Sequence, residues 1–140
     1  MLTIPRAQFE TLVAHCRAAL PDEACGFLAG RGGAVESVHP VASASPSPAR
    51  FAMEPRAQLA ALEAIDRAGR EVVGIYHSHP GGAPSPSALD RGQAFWAGTA
   101  VAAYPGAVQV IVALPAAGAP AVRGFLPERG SLREIPVALG

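Results

Sequence analysis

Fifteen glycines and fourteen prolines are spread along the chain of 140 residues, and they cap the length of every element it can form. Proline removes a backbone donor and clashes in a helix interior, so each one marks a first turn, an edge or a loop. Pro5 opens a helical pattern with Phe9, Leu12, Val13, Cys16 and Leu20 on one face, and Pro21 stops it. Cys25 to Ala29 reads as a short strand closed by the turn Gly30-Arg31-Gly32-Gly33, and Val35 to Val41 reads as its hairpin partner. The loop Ser43 to Pro48 leads to a short extended piece, Arg50 to Met53. A second helix starts at Pro55, with Leu59, Leu62 and Ile65 on its buried face, and ends at Gly69.

Val72 to His77 is a strand that runs into a Gly/Pro/Ser loop, Pro80 to Pro86, and Ser87 starts a third helix carrying Phe95 and Trp96. Strands follow at Val108 to Leu114, Val122 to Leu126 and Leu132 to Val137. The order βαβββαβαβββ, with few helices and many strands, points to an α+β fold in one domain over residues 1–140.

Charge and composition narrow the function classes. Eleven basic and eleven acidic side chains cancel, so no basic stripe is available to neutralise phosphates, and nucleic acid is not an expected partner. Ala97 to Val122 carries no charge over a length that could span a bilayer. Pro105, Pro115 and Pro120 break it, so loop, buried strand and turn are expected there and no membrane partner. Cys16 and Cys25 make no disulfide framework, and the N-terminus lacks the charged and apolar regions of a signal peptide, which leaves a cytoplasmic address.

His77 and His79 stand two apart at a strand end, where side chains i and i+2 point to one side and two imidazoles can converge on one ion. Asp90 follows just inside the third helix. Two histidines and a carboxylate, with a fourth position left to water, make the usual set of a hydrolytic zinc site. Plainer readings exist for each part. A lone His-x-His is most often a solvated strand end, and Ser87-x-x-Asp90 also fits a helix capping pair, a role compatible with metal binding.

The combination is what is specific. His77-Ser78-His79-Pro80, then Pro80 to Pro86, then Ser87-x-x-Asp90, resembles the JAMM (MPN-plus) metalloprotease signature position by position. Glu23-Ala24-Cys25-Gly26-Phe27-Leu28-Ala29-Gly30 is similar to the setting of that family's upstream glutamate. The helix before Glu23, Arg50-Phe51-x-Met53 and the strand into His77 look like the short prokaryotic branch, with Ile75 where many eukaryotic members have Trp. The resemblance implies an MPN fold: a mixed, curved sheet flanked by about three helices, of cytidine-deaminase-like architecture. It also implies Zn2+ on His77, His79 and Asp90, Glu23 as acid/base, and Ser87 as oxyanion donor.

The activity implied is that of a zinc peptidase or isopeptidase acting at the Gly-Gly tail of a ubiquitin-like sulfur-carrier protein, with a homodimer left open. A RadC-type protein is the competing reading, disfavoured by Ser78 in place of asparagine, by the absence of an N-terminal DNA-binding domain and by zero net charge. A non-catalytic MPN scaffold is disfavoured because every ligand position is filled. Cys25 could approach the metal if the strand began at Glu23, although a buried packing role suits a free cysteine better. His15, His39, Trp96 and Tyr104 read as core or surface, not site.

Overall fold

The computed structural model describes residues 1–140. Its elements are β1 (Leu2–Ile4), α1 (Arg6–Ala18), β2 (Cys25–Arg31), β3 (Ala34–Val41), α2 (Pro55–Arg67), β4 (Glu71–Pro80), α3 (Ala88–Gln93), β5 (Val108–Leu114), β6 (Ala121–Glu128), β7 (Ser131–Ile135) and β8 (Val137–Leu139). Eight strands form one mixed sheet in the order β7-β6-β5-β4-β2-β3-β1-β8. The α+β expectation holds: β4 pairs antiparallel with β2 and parallel with β5, α3 lying in the crossover between them.

The two outer strands of that order, β7 and β8, are consecutive in the chain and separated only by Pro136. The sheet therefore curls until its ends meet. Gly124 on β6 shows how close they come, because a Cβ there would lie 2.7 Å from Val137 Cγ2 on β8. The sequence suggested one strand from Leu132 to Val137. Pro136 splits it, having no N–H for the ladder, and the far half pairs parallel with β1.

Helices cover both faces. On the concave side α1 buries Leu12, Val13 and Cys16, and a core of 13 buried residues includes Leu28, Tyr76, Val108, Val110 and Val112. On the other face α2 packs over a smaller cluster of Phe27, Ala29, Val41, Ile65, Ile75 and Ala107.

Three local expectations change. Leu59 is exposed, since α2 meets the sheet through Ala57, Ala61, Leu62 and Ile65, and alanine lets the helix approach closely. Leu20 is exposed because α1 ends at Ala18. α3 stops at Gln93 before Phe95 and Trp96, while the extended piece before α2 is present, with Met53 bridging Ser43.

Candidate active site

β4 carries the two faces into the site by simple alternation. Tyr76 and Ser78 point into the concave core, while Ile75, His77 and His79 point to the α2 side. His77 is 2% exposed, and its ring stacks on Phe51 at 4.8 Å between centroids and 26° between planes. His79 hydrogen-bonds Ala83 O through Nδ1 at 2.8 Å, which fixes the ring with Nε2 facing His77.

Asp90 arrives from α3. Ser87 caps that helix: its hydroxyl accepts from Asp90 N at 3.0 Å, and Asp90 Oδ2 accepts from Ser87 N at 2.9 Å. The capping box expected from Ser-x-x-Asp is present, and it aims the carboxylate at the histidines. Asp90 Oδ2 lies 3.1 Å from His77 Nε2 and 3.0 Å from His79 Nε2, and the two nitrogens are 3.1 Å apart.

Three acceptor-type atoms thus form a near-equilateral triangle. With His79 Nδ1 donating to Ala83, its Nε2 carries a lone pair beside a carboxylate oxygen, an arrangement that needs a proton or a cation between them. The separations fall within a few tenths of an ångström of the roughly 3.3 Å that tetrahedral bonds of about 2.0–2.1 Å impose on zinc ligands. Glu23 completes the group: ligand atoms of Glu23, His77, His79 and Asp90 all lie within 4.8 Å of one another. Glu23 Oε1 and His77 Nδ1 are buried without a hydrogen-bond partner. The residues fit a divalent metal of the zinc class.

The two carboxyls have opposite electrostatics. Burial pushes Glu23 up to about 7, the nearby His79 pulling it down and Asp90 pushing it up. Burial would raise Asp90 also, but hydrogen bonds from His77 and His79 hold it well below the usual carboxylate range. The same contact raises His79. Paired carboxyls driven apart in this way divide into a standing anion and a group that exchanges protons near neutrality.

Two cavities flank the cluster. One of about 230 Å³ is lined by Glu23, Pro48, Ala49, His79 and Ser87 among others. The other, about 180 Å³, opens beside His77 and Asp90 between Phe51, Met53, Ile75 and Tyr104. Tyr104, read from sequence as core or surface, packs on Phe27 and also lines this second cavity, where it accepts a hydrogen bond from Gln58 at 2.5 Å. Phe51 and Ser78 were likewise not singled out as site residues. Only their places in the motif and in the extended piece before α2 hinted at them.

Cys25 stays out of the cluster. It faces His77 across the β2–β4 pair, but its buried thiol donates to Val41 O at 3.3 Å, and burial raises it to about 11. The packing role stands. His15 bonds the Tyr76 hydroxyl at 2.6 Å, and His39 bonds Ser37, both away from the cluster.

Comparison with known proteins agrees with this geometry. The model of the prokaryotic homologs of the JAB domain matches residues 5–123. A desampylase of Haloferax volcanii is 40% identical over 96 residues, 64% of this chain and 69% of that protein. A probable TtuB-protein conjugate cleaving protease of Thermus thermophilus is 40% identical over 97 residues, covering 69% of this chain and 65% of its own. The chain thus spans about two thirds of the length of these relatives. The solution structure of protein DSY2949 from Desulfitobacterium hafniense superposes with a TM-score of 0.85 at 35% identity, covering 100% of this chain and 93% of that one. With a match from Pro5 to Arg123 that includes both histidines, both carboxyls and Ser87, the chain belongs to the prokaryotic JAB-domain family, whose motif is that of the JAMM metalloproteases.

Proposed function

We propose that the chain is a zinc-dependent peptidase that hydrolyses the bond joining an amino acid or polypeptide to the Gly-Gly tail of a ubiquitin-like sulfur-carrier protein in the cytoplasm. One observation carries the reading: three ligand atoms 3.0–3.1 Å apart stand beside a buried carboxyl poised at about 7. The Haloferax desampylase and the Thermus conjugate-cleaving protease, each 40% identical to this chain over the matched residues, support the substrate class.

His77 Nε2, His79 Nε2 and Asp90 Oδ2 would hold the ion. When bound, zinc supplies Lewis acidity and brings the pKa of its water to about 7. The protein's own groups do the rest. Glu23, a buried carboxyl beside the cluster, accepts the water's proton as a carboxylate and returns it to the departing amine as an acid. Ser87 Oγ accepts from Asp90 N, which leaves its O–H free to donate to the developing oxyanion. Phe51 on His77 and Ala83 O on His79 keep both rings in place, and burial of the cluster keeps bulk water from screening it. An extended tail ending in two glycines would lie along the shallow groove lined by Pro48, Ala49 and Gly82.

The test is an intact-mass assay on a fusion in which a ubiquitin-like carrier continues past its Gly-Gly end into a reporter peptide. Release of the peptide at that junction, lost on chelation and restored by zinc, is the expected result. A fusion that stays intact in the presence of zinc-loaded protein would reject the substrate class.

A further inference from the structure

The residue between the two histidines has its own task. β2 and β4 run antiparallel with Cys25 opposite His77, so the next pair along the ladder is Ala24 and Ser78. A regular hydrogen-bonded pair exchanges two backbone bonds. Here only one is regular: Ser78 N donates to Ala24 O at 3.1 Å. The return bond runs from Ala24 N to the Ser78 hydroxyl, at 2.8 Å, instead of to the Ser78 carbonyl.

The ladder is released at this pair, and the chain turns off the sheet. Glu23 N, which in this register faces away from β4, donates to Ser47 O, 2.8 Å away. Both partners of the unusual bond are sealed from solvent, Ser78 at 0% and Ala24 at 3% exposure, so no water can stand in for the hydroxyl. The hydroxyl stands no further from its Cα than the carbonyl it replaces, but it lies off the ladder on the core side of β4. That direction sets where β2 leaves β4, and hence where Glu23, the next residue out, meets the histidines.

We propose that Ser78 is a positioning residue for Glu23, holding the acid/base at its working distance through the Ala24 backbone while its neighbours His77 and His79 serve the metal. This rests on the acid/base reading of Glu23. Without the hydroxyl, Ala24 N regains an acceptor only by sliding back onto the β4 ladder, which draws Glu23 away from the cluster. A displacement of about 1 Å in a catalytic group costs turnover on the order of 10²-fold.

The experiment uses the carrier–peptide fusion with zinc-loaded Ser78→Ala, Ser78→Thr and Glu23→Gln proteins and the Ser78→Ala/Glu23→Gln double variant. Ser78→Ala should lose about 10²-fold in kcat, with KM and zinc affinity close to wild type. Ser78→Thr keeps the oxygen and should recover kcat to within several-fold. Ser78→Cys, similar in volume but a weak acceptor, is the second variant and should fall with Ser78→Ala. In the Glu23→Gln background, Ser78→Ala should cost almost nothing more, because both changes remove the same function. Amide exchange supplies a readout independent of turnover: Ala24 N–H should exchange faster in Ser78→Ala, while Leu28 N–H in the middle of β2 stays protected.

Wild-type kcat in folded Ser78→Ala, equal impairment of the Thr and Ala variants, or a full Ser78→Ala penalty on top of Glu23→Gln would each overturn the assignment. Undiminished turnover in Glu23→Gln alone would instead remove the acid/base reading on which it stands. Loss in Glu23→Gln beside wild-type turnover in Ser78→Ala would remove only the positioning role.

Discussion

The two faces of the sheet divide the work of the molecule. The concave face is closed by α1 over a core of 13 buried residues, and the Tyr76 hydroxyl there is tied off by His15. The α2 face has a core of six buried residues and then opens into the cleft with Glu23, His77, His79 and Asp90. β4 serves both through alternate residues, Tyr76 and Ser78 inward and His77 and His79 outward. Stability can therefore be concentrated on one side while the other keeps buried charge and an orphan carboxyl oxygen, which cost stability.

If that division is real, substitutions should separate cleanly by face. The largest effect on the open face is expected from Glu23→Gln: turnover should fall by about 10²–10⁴-fold while zinc content and melting temperature hold, because an amide cannot take a proton from water. Near-wild-type turnover on the carrier–peptide fusion would move the acid/base role to another group. On the closed face, Leu12→Ala should lower stability by about 2–5 kcal/mol in denaturant titration, yet leave turnover per folded molecule unchanged. A parallel loss of turnover would mean that the two faces are coupled.

Ser87→Ala sits between these cases. As a helix cap its loss should cost ~1 kcal/mol, and as an oxyanion donor about 10²–10³-fold in turnover. Melting and turnover on one preparation separate the two roles. Unchanged turnover in folded protein would leave Ser87 as a cap alone.

The smallest effect concerns pH. Glu23 is raised from 4.5 to about 7 in the folded chain, so its contribution to stability is fully present below pH 4.5 and is lost as pH rises through about 7. His79, raised by Asp90, adds a loss of the same sign above pH 6.5. Asp90, held low, works in the opposite sense, its contribution present above pH 3.8 and lost only in stronger acid. Denaturant titration of chelator-treated protein at pH 5 and pH 8 should show the loss, and Glu23→Gln should reduce it. An identical difference in both proteins would contradict the burial of Glu23.

The closed and open faces also differed in how far the sequence disclosed them. β5 was legible to the residue, Val108 to Leu114, because an apolar, β-branched run interrupted only by Gln109 lies between Gly106 and Pro115. The His-x-His pair and the Ser-x-x-Asp box were legible because alternation and capping are local rules. Long-range facts were not. Nothing in Leu132 to Val137 says that Pro136 carries the chain from one sheet edge to the other. Leu59 looked buried by period alone, since alanines at Ala57 and Ala61 do not advertise a packing face. Ser78 was read only as one position of the His77-Ser78-His79-Pro80 motif, because its role depends on where β2 leaves the ladder, which is fixed only once β2 and β4 are paired.

The central claim is that His77, His79 and Asp90 form a metal site, and metal stoichiometry tests it most directly. Protein purified without chelator, together with His77→Ala and His79→Ala variants checked for folding, should be analysed for zinc by mass spectrometry. The account predicts close to one zinc per wild-type chain and little in either variant, since each removes one of three converging ligand atoms. Folded His77→Ala or His79→Ala protein that retained a full equivalent of zinc would contradict it.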